Sequence, residues 1–217
     1  MSFHVLQLSP DELLTTTRSV RKRLDLQRPV PSELLRECLE IAVQAPTGGS
    51  LQQWQFVVVT EAEKKRAVGE IYKKAWYAGN ARRRRDYPAE DVRGQRLSQL
   101  VDSAMYLADH MGEVPAMVFA CIEGRLHEAD GAHRLASQFA SILPAVWSFQ
   151  LAARARHLGT VLTTGFLEDE AGVASVLGIP YDRITIAAMV PVAYYTGESF
   201  RSGPRVPLDS VVHWEGW

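Results

Sequence analysis

The chain has few of the features that mark secreted, membrane-spanning or metal-binding proteins. Its 217 residues include only two cysteines, Cys38 and Cys121, and both lie within apolar patterns. They are therefore predicted to be small buried hydrophobic side chains, with no disulfide framework. The six histidines are scattered, which disfavours a metal site. No uncharged apolar run approaches the length of about 18 residues that a membrane span needs, and no secretory leader is evident, so a cytoplasmic protein is expected.

The sequence also lacks an excess of charge of either sign. It has 24 basic and 25 acidic residues, whereas a general nucleic-acid binder normally carries a basic excess. It contains neither a Gly-x-Gly-x-x-Gly dinucleotide fingerprint nor a Walker phosphate loop. There is no obvious Ser-His-Asp set and no paired-carboxylate motif. We thus expect no nucleic-acid or membrane partner, and the absences fit an enzyme whose cofactor carries the chemistry.

The hydrophobic residues make up 47% of the chain, enough to form the core of a single domain over residues 1–217. Capping boxes begin predicted helices at Ser9 and Thr60, and helical periodicity predicts further helices over residues 32–45, 97–108, 135–157 and 168–177. Continuous apolar runs predict strands over residues 54–59, 116–122, 160–163 and 184–192. The first of these strands is expected to be covered on both faces. Helices outnumber strands and do not alternate with them cleanly, which favours an α+β fold.

Glycine and proline residues indicate where some of these predicted elements bend or end. Pro144 is expected to kink or split the long helix, and Gly159 is suited to the left-handed position after it. Residues 77–94 lose all periodicity and are predicted to be an irregular, mobile excursion. The arginine run at residues 82–85 within them is best explained as a solvated surface. Residues 195–217 are predicted to be a loop-like, extended tail.

The segment Arg18-Ser19-Val20-Arg21 places two guanidinium groups and a hydroxyl within four residues. Arginine offers a planar fork of donors that suits phosphate or carboxylate. A second polar segment, residues 46–54, is a loop of small residues that leads directly into the first strand. From the residues alone, the arginines are better explained by a surface patch at a helix end than by an anion site. The Gly48-Gly49 pair is explained equally well by an ordinary turn and by a ligand-binding loop.

Four elements together resemble the nitroreductase family of flavin mononucleotide (FMN) oxidoreductases over nearly the whole chain. They are Arg18-Ser19-x-Arg21, Pro46-Thr47-Gly48-Gly49-Ser50-x-Gln52-x-Trp54, the segment from Leu158 to Phe166, and Gly203-Pro204-Arg205-x-Pro207-Leu208. The chain departs from the family pattern at some positions. Thr17 stands where the family often has a further arginine, Gly203 where it often has a lysine, and Ser50 and Gln53 where asparagine or histidine and proline are usual.

The resemblance implies a set of FMN-binding residues: Arg18, Ser19, Arg21, Pro46, Thr47, Gly48, Ser50, Gln52, Leu162, Thr163, Thr164, Gly165 and Arg205. Arg18, Arg21 and Arg205 would supply donors to the phosphate, and the Arg18-Ser19-x-Arg21 element would also contact the pyrimidine edge of the flavin. Thr164 and Gly165 would lie near the flavin N5. In the family the loop of residues 46–54 reaches the flavin of the other subunit. The implied architecture is a central mixed β-sheet surrounded by helices in an intertwined homodimer. Residues 77–94 would then form a lid, and the tail of residues 195–217 would wrap the partner.

The implied activity is electron transfer from NADPH or NADH through FMN to a nitroaromatic, a quinone or another electron-poor acceptor by a ping-pong mechanism, with no residue of the chain acting as the catalyst. Two alternatives remain within the same fold. One is a reductive dehalogenase similar to iodotyrosine deiodinase, to which the threonine pair before Gly165 mildly points. The other is a flavin-fragmenting protein of benzimidazole biosynthesis. A flavin-binding protein without turnover, serving storage or sensing, is an alternative from another class.

Overall fold

A four-stranded sheet forms the centre of the fold. In the computed structural model, which describes residues 3–80, 87–88, 91–127 and 130–217, the strands lie in the order β1-β2-β4-β3 and neighbouring strands are antiparallel. They are β1 (Trp54–Val59), β2 (Ala116–Glu123), β3 (Leu158–Thr160) and β4 (Ile184–Tyr194). Parallel pairing in the described part is limited to an isolated bridge between Ser19 and Thr160. The prediction of an α+β fold is confirmed.

Helices surround the sheet, and some of them begin at a residue whose side chain caps the helix. They are α1 (Pro10–Thr16), α2 (Ser32–Ala42), α3 (Ala62–Asn80), α4 (Val92–Gln95), α5 (Leu97–His110), α6 (Gly131–Ala155) and α7 (Glu170–Leu177). Short 3-10 turns occur at Gly48–Ser50, Met111–Glu113, Gly165–Asp169 and Leu208–Ser210. The capping box predicted for α1 is present, since the backbone amide of Glu12 donates to Ser9 Oγ at 3.2 Å and the Ser9 amide donates to a Glu12 carboxylate oxygen at 2.8 Å.

Two hydrophobic clusters lie on opposite faces of the sheet. Alternate residues of β2 divide between them, because successive strand side chains point to opposite faces. Met117, Phe119 and Cys121 pack with residues of α3, α5 and α7, whereas Val118 and Ala120 pack with residues of α2 and α6. The molecule therefore has three layers, with the sheet in the middle. Both cysteines are buried and free, as predicted, and burial raises the pKa of each thiol to about 12.

Strand β1 differs from the prediction that both of its faces are covered. The exposed fraction of Val58 is 41%, and Gln55 is also exposed. The physical reason is the strand order, because within the described ranges β1 lies at an edge of the sheet and pairs with β2 alone. The central strands β2 and β4 are buried along nearly their whole length, as their apolar runs predict.

The ends of several elements also differ from the predicted ones. Helix α2 ends at Ala42, three residues before the predicted end, and α6 is continuous through Pro144 rather than split. Strand β3 ends at Thr160, and Thr163 instead forms an isolated bridge with Met189. Gly159 does not end a helix in the left-handed conformation; His157 has the positive φ, 62°. Gly159 lies in β3.

The position of Gly159 has no room for a side chain, because the segment that contains Val20 and Leu24 packs closely on it. A Cβ at Gly159 would lie 3.0 Å from a Val20 methyl carbon and 3.1 Å from Leu24 Cδ2. The residues just after the Arg18 segment therefore pack directly on β3. This packing fixes the position of the Arg18–Arg21 stretch relative to the sheet.

The predicted irregular excursion over residues 77–94 is partly wrong. Helix α3 continues to Asn80, and α4 forms within the carboxy-terminal part of the segment. The helix continues because Tyr72, Ala75, Trp76 and Gly79 lie on one face of α3, which borders a cavity opposite α5. The arginine run at residues 82–85 lies outside the described residues.

Candidate functional site

A cavity of about 820 Å³ lies between α3, α5 and the loop that follows β3. This volume is within the range of about 300–1,000 Å³ that is typical of small-molecule sites. One wall is formed by Tyr72, Ala75, Trp76 and Gly79 of α3, and the facing wall by Leu97, Leu100, Val101 and Ala104 of α5. Both sets have the three- and four-residue spacing of a single helix face. Residues 161–165, Leu167, Glu168 and Arg21 complete the lining.

The loop after β3 is held in place by hydrogen bonds to two other elements. The backbone amide of Thr163 donates to the Met189 carbonyl at 2.9 Å, and the Met189 amide donates back to the Thr163 carbonyl at 3.0 Å. The Thr163 hydroxyl donates to the Tyr72 hydroxyl at 3.2 Å. A Cβ at Gly165 would lie 3.3 Å from a Tyr72 ring carbon, so the ring packs closely on this glycine. The loop thus presents a fixed backbone surface to the cavity.

Arg21 brings a positive charge to this cavity. Burial lowers the pKa of its guanidinium, and the nearby Tyr72 partly offsets that effect. None of the carboxylates in the described ranges forms an ion pair with Arg21. A half-buried cation without an acidic partner is unfavourable unless a ligand supplies the missing acceptor.

A second group of positive charges includes Arg18. Burial lowers the pKa of the Arg18 guanidinium, and the charges of Arg205 and Arg96 lower it further. These three arginines, which we call the arginine cluster, have no ion-paired carboxylate within the part of the chain that the structure describes. Like charges gathered in this way repel one another, and an anion would relieve the repulsion.

The hydrogen bonding of Arg18 supports an anion site at the arginine cluster. Its Nη1 atom is buried and, among the described residues, has no hydrogen-bond partner. The guanidinium packs against the backbone of Gly203, where a Cβ would overlap it. Arg205 donates to the carbonyl of Pro204 at 3.0 Å, which leaves most of its guanidinium donors for other acceptors. Arg18 thus offers a buried donor that no described residue uses, near two exposed arginines, and this combination suits an anion such as a phosphate group.

The loop of residues 46–52 lies elsewhere in the chain. Thr47, Gly48 and Gln52 line a separate pocket of about 20 Å³ beside α6. The Gly48 amide donates to Ser141 Oγ at 3.0 Å, which attaches the loop to α6. Within one chain, therefore, the structure does not bring this loop to the cavity that contains Arg21.

The backbone of this loop is strained. Ser50 and Gln52 have positive φ values of 55° and 50°, beside Gly49 at 58°. Residues other than glycine rarely adopt this conformation, and each such residue costs about 1–3 kcal/mol. Such strain is concentrated at functional segments, so the loop is a candidate for ligand contact even though its pocket is small.

The remaining predicted site residues have clear positions. Ser19 is exposed, and its backbone bridges Thr160, next to the segment that leads to the cavity. Leu162, Thr163, Thr164 and Gly165 all line the cavity with Arg21. Pro46 and Ser50 belong to the separate loop, where Ser50 is exposed.

Sequence reasoning missed several residues that border the site. Tyr72 and Trp76 line the cavity, and Trp76 Nε1 is buried without an acceptor in the described ranges. Arg96 belongs to the arginine cluster but carries no motif of its own. The available signal was the apolar spacing that begins at Leu97, which places Arg96 at the start of a helix bordering the cavity.

Together these features define a class of protein. Apolar helical walls, a polar loop and a neighbouring arginine cluster suit a small molecule that has a flat apolar part and an anionic part. The Nitroreductase family model matches residues 14–194, so the chain belongs to the nitroreductase family. The family expectation from the sequence is confirmed.

Individual relatives agree with this assignment. A protein named NADH dehydrogenase from Thermus thermophilus is 29% identical over 210 residues, covering 91% of each chain. The structure of the FMN and NADPH-dependent nitroreductase NfnB from sphigopyxis sp. strain HMH matches with a TM-score of 0.69 at 25% identity, covering 97% of this chain and 100% of that one.

A further structural match concerns the fold alone. Oxidized iodotyrosine deiodinase bound to FMN and 3-iodo-L-tyrosine matches with a TM-score of 0.71 at 20% identity, covering 95% of this chain and 99% of that one. Across the described ranges, no helix has the length and apolar character needed to cross a membrane.

Proposed function

We propose that the protein is an FMN-dependent oxidoreductase that passes electrons from NADPH or NADH to an electron-poor acceptor such as a nitroaromatic or a quinone. The observation that carries this proposal is the arginine cluster, with its unpartnered Arg18 Nη1 in the described part of the chain, together with a cavity of about 820 Å³. Family membership and the FMN named for the similar nitroreductase support the same cofactor.

The residues present fit FMN. Arg18 and Arg205 would hold the phosphate, because their unused guanidinium donors match its oxygens and its charge of about −2. Arg21, Leu162, Thr163, Thr164 and Gly165 would line the ring, since all five border the cavity. When bound, FMN supplies the two-electron redox chemistry that links a nicotinamide donor to a second substrate. The protein binds and orients the reactants.

The cavity walls would select the acceptor. The α5 wall consists of Leu97, Leu100, Val101 and Ala104, which suits a flat apolar molecule and excludes water. The Trp76 N–H, which has no acceptor among the described residues, is a hydrogen-bond donor close to this space. Residues 77–94 would act as a lid, because their described ends continue directly from the two walls.

The active unit would be a homodimer. Loop 46–52 lies apart from the cavity of its own chain, so its strained backbone would contact the flavin of the partner. The tail of residues 195–217 ends in two aromatic side chains that one chain leaves exposed, at 87% for Trp214 and 104% for Trp217. Large exposed aromatics of this kind favour burial against another surface. One domain over residues 1–217 with a tail that wraps its partner accounts for both observations.

Anaerobic titration of the purified protein with NADPH and, separately, NADH tests the proposed activity. The flavin absorbance should bleach with at least one of the two and return when a nitroaromatic or a quinone is added. A bound flavin that neither NADPH nor NADH reduces would contradict the proposed oxidoreductase activity and favour a role in flavin storage. The choice of acceptor distinguishes a nitroreductase from a dehalogenase. The reduced flavin of a dehalogenase would be reoxidised by an iodinated phenol in preference to a nitroaromatic or a quinone.

A further inference from the structure

The side chain of Arg23 holds the first turn of the tail. Its Nε donates to the Thr196 carbonyl at 2.6 Å, and its Nη1 donates to the Ser199 carbonyl at 3.0 Å. The guanidinium carbon lies 4.2 Å from the centroid of the Phe200 ring, within the range of a cation–π contact. Within the described ranges, Arg23 forms no ion pair with a carboxylate. Its donors are therefore used to fix the backbone of residues 196–200.

The backbone on either side of Arg23 reinforces this attachment. The Thr196 amide donates to the Arg23 carbonyl at 2.8 Å, and the Asp25 amide donates to the Tyr194 carbonyl at 2.7 Å. Gly197 has a φ of 81°, which glycine adopts without strain. A Cβ at Gly197 would lie 2.9 Å from the buried Nη2 of Arg23, so the tail packs directly on the guanidinium. The direction in which the tail leaves β4 thus depends on Arg23.

The tail next contacts Arg18. Gly203 packs on the Arg18 guanidinium so closely that a Cβ there would overlap it. The Nη1 atom of Arg18 is buried at this contact and, across the part of the chain that the structure describes, has no hydrogen-bond partner. Packing against the tail backbone therefore restricts where this donor lies. A displacement of the tail at Arg23 would be transmitted to Arg18 through residues 196–203.

We propose that Arg23 is a positioning residue for the FMN phosphate, because it holds the tail where Gly203 aligns the Arg18 guanidinium. This rests on the proposed function, in which Arg18 binds that phosphate. Arg23 itself is occupied with the carbonyls of the tail and acts through Arg18. A guanidinium that is already held in place loses less conformational freedom when its ligand binds, which increases affinity.

Paired flavin affinities test this role. Flavin-free protein is titrated with FMN and with riboflavin, which has the same ring but no phosphate, for the wild type, Arg23→Gln and the matched control Arg28→Gln. Arg28 belongs to the same segment but lies over the ring of Tyr194, 3.5 Å from its centroid, before the tail begins. Arg23→Gln should weaken FMN binding about threefold to tenfold and leave riboflavin binding unchanged, because the phosphate contact is no longer held in place. Arg28→Gln should change neither affinity.

Three further variants locate the effect. In a double-mutant cycle, Arg23→Gln should weaken FMN binding less in an Arg18→Gln protein than in the wild type, because Arg23 acts through Arg18. Arg23→Lys keeps the charge but loses the planar fork, so its FMN affinity should fall between those of the wild type and Arg23→Gln. Gly203→Ala would displace the flexible Arg18 side chain from the other end of the link, so the protein should fold and lose affinity for FMN alone.

The outcomes separate this inference from the proposed function. Wild-type protein that binds no FMN would contradict the proposed function. Tight FMN binding that Arg23→Gln leaves unchanged would overturn the inference alone, and so would additive effects of Arg18→Gln and Arg23→Gln. Equal losses of FMN and riboflavin affinity would also overturn it, because they would make Arg23 a purely structural residue. If Arg23→Gln does not fold, Arg23→Lys and Gly203→Ala decide, and an unchanged ratio of FMN to riboflavin affinity in both would overturn the inference.

Discussion

Replacing Arg18 with glutamine is expected to affect the flavin-free and the flavin-bound protein in opposite directions. In the flavin-free protein Arg18 has a buried Nη1 without a partner among the described residues and lies near two other positive charges. Its removal relieves repulsion and leaves no described acid unpaired, so the flavin-free protein should be at least as stable as the wild type. In the flavin-bound protein the same change removes charge-assisted hydrogen bonds to the phosphate, which are worth about 1.5–3 kcal/mol.

This loss corresponds to an increase of about tenfold to hundredfold in the Kd for FMN. Ligand at about 100 times its Kd stabilises a folded protein by about 2.7 kcal/mol, so a tenfold weaker Kd removes roughly half of that gain. For a domain of this size, each kcal/mol changes the melting temperature by about 2–4 °C. The Arg18→Gln variant should therefore melt several degrees below the wild type when both contain the same excess of FMN.

Thermal unfolding with and without FMN, together with flavin titration, measures both effects. Arg36→Gln is the matched control, because Arg36 is exposed on α2 and ion-paired with Glu40 at 3.2 Å. It removes the same charge far from the site and should leave FMN affinity unchanged. An Arg18→Gln protein that is less stable without flavin, yet binds FMN as tightly as the wild type, would refute the reasoning and make Arg18 a structural surface residue.

Three further predictions concern packing, protonation and the tail. Gly69→Ala should destabilise the protein by about 1–3 kcal/mol in chemical denaturation, because its Cβ would lie 2.6 Å from the backbone nitrogen of Gly112. Burial lowers the pKa of His157 below its ordinary value of 6.5, so the unfolded chain binds more protons there and stability should fall as the pH drops below 6.5. His157→Asn, which tolerates the positive φ, should flatten this pH dependence in thermal melts. Deletion of the residues after Val211 should abolish both the dimer and the bound flavin, as measured by light scattering and flavin absorbance.

For each of these three predictions, one result would contradict the stated physical reason. Gly79 on the same helix is the control, because a Cβ there meets no described atom within 4 Å and Gly79→Ala should be tolerated. Equal destabilisation by Gly69→Ala and Gly79→Ala would argue against the close contact between Gly69 and the Gly112 backbone. An unchanged pH slope in His157→Asn would assign the acid sensitivity to another group. A truncated chain that remains a yellow, active monomer would rule out a site shared between subunits.

The parts of the fold that sequence predicted well depend on local information. The capping box at Ser9 involves residues three positions apart, and the apolar runs of β2 and β4 mark central strands irrespective of their neighbours. Predictions failed where tertiary contacts decide the outcome. Gly159 has the sequence context of a helix end, yet it is needed for the contact with Val20, which lies far away in sequence.

The same distinction applies to the candidate site. The resemblance singled out Arg21 and the residues from Leu162 to Gly165, and the structure brings these onto one cavity. No sequence motif marks Tyr72, Trp76 or Arg96. Their positions near the cavity depend on the packing of α3 opposite α5, which the sequence alone does not reveal. The separation of loop 46–52 from that cavity likewise depends on how the whole chain is arranged.

Identification of the flavin released from the purified protein is the most direct test of the central claim. The protein is denatured, and the released chromophore is analysed by mass spectrometry. An arginine cluster suited to a phosphate monoester, in a chain without a dinucleotide fingerprint, predicts FMN. Release of FAD, or protein that neither contains nor takes up a flavin, would contradict the account.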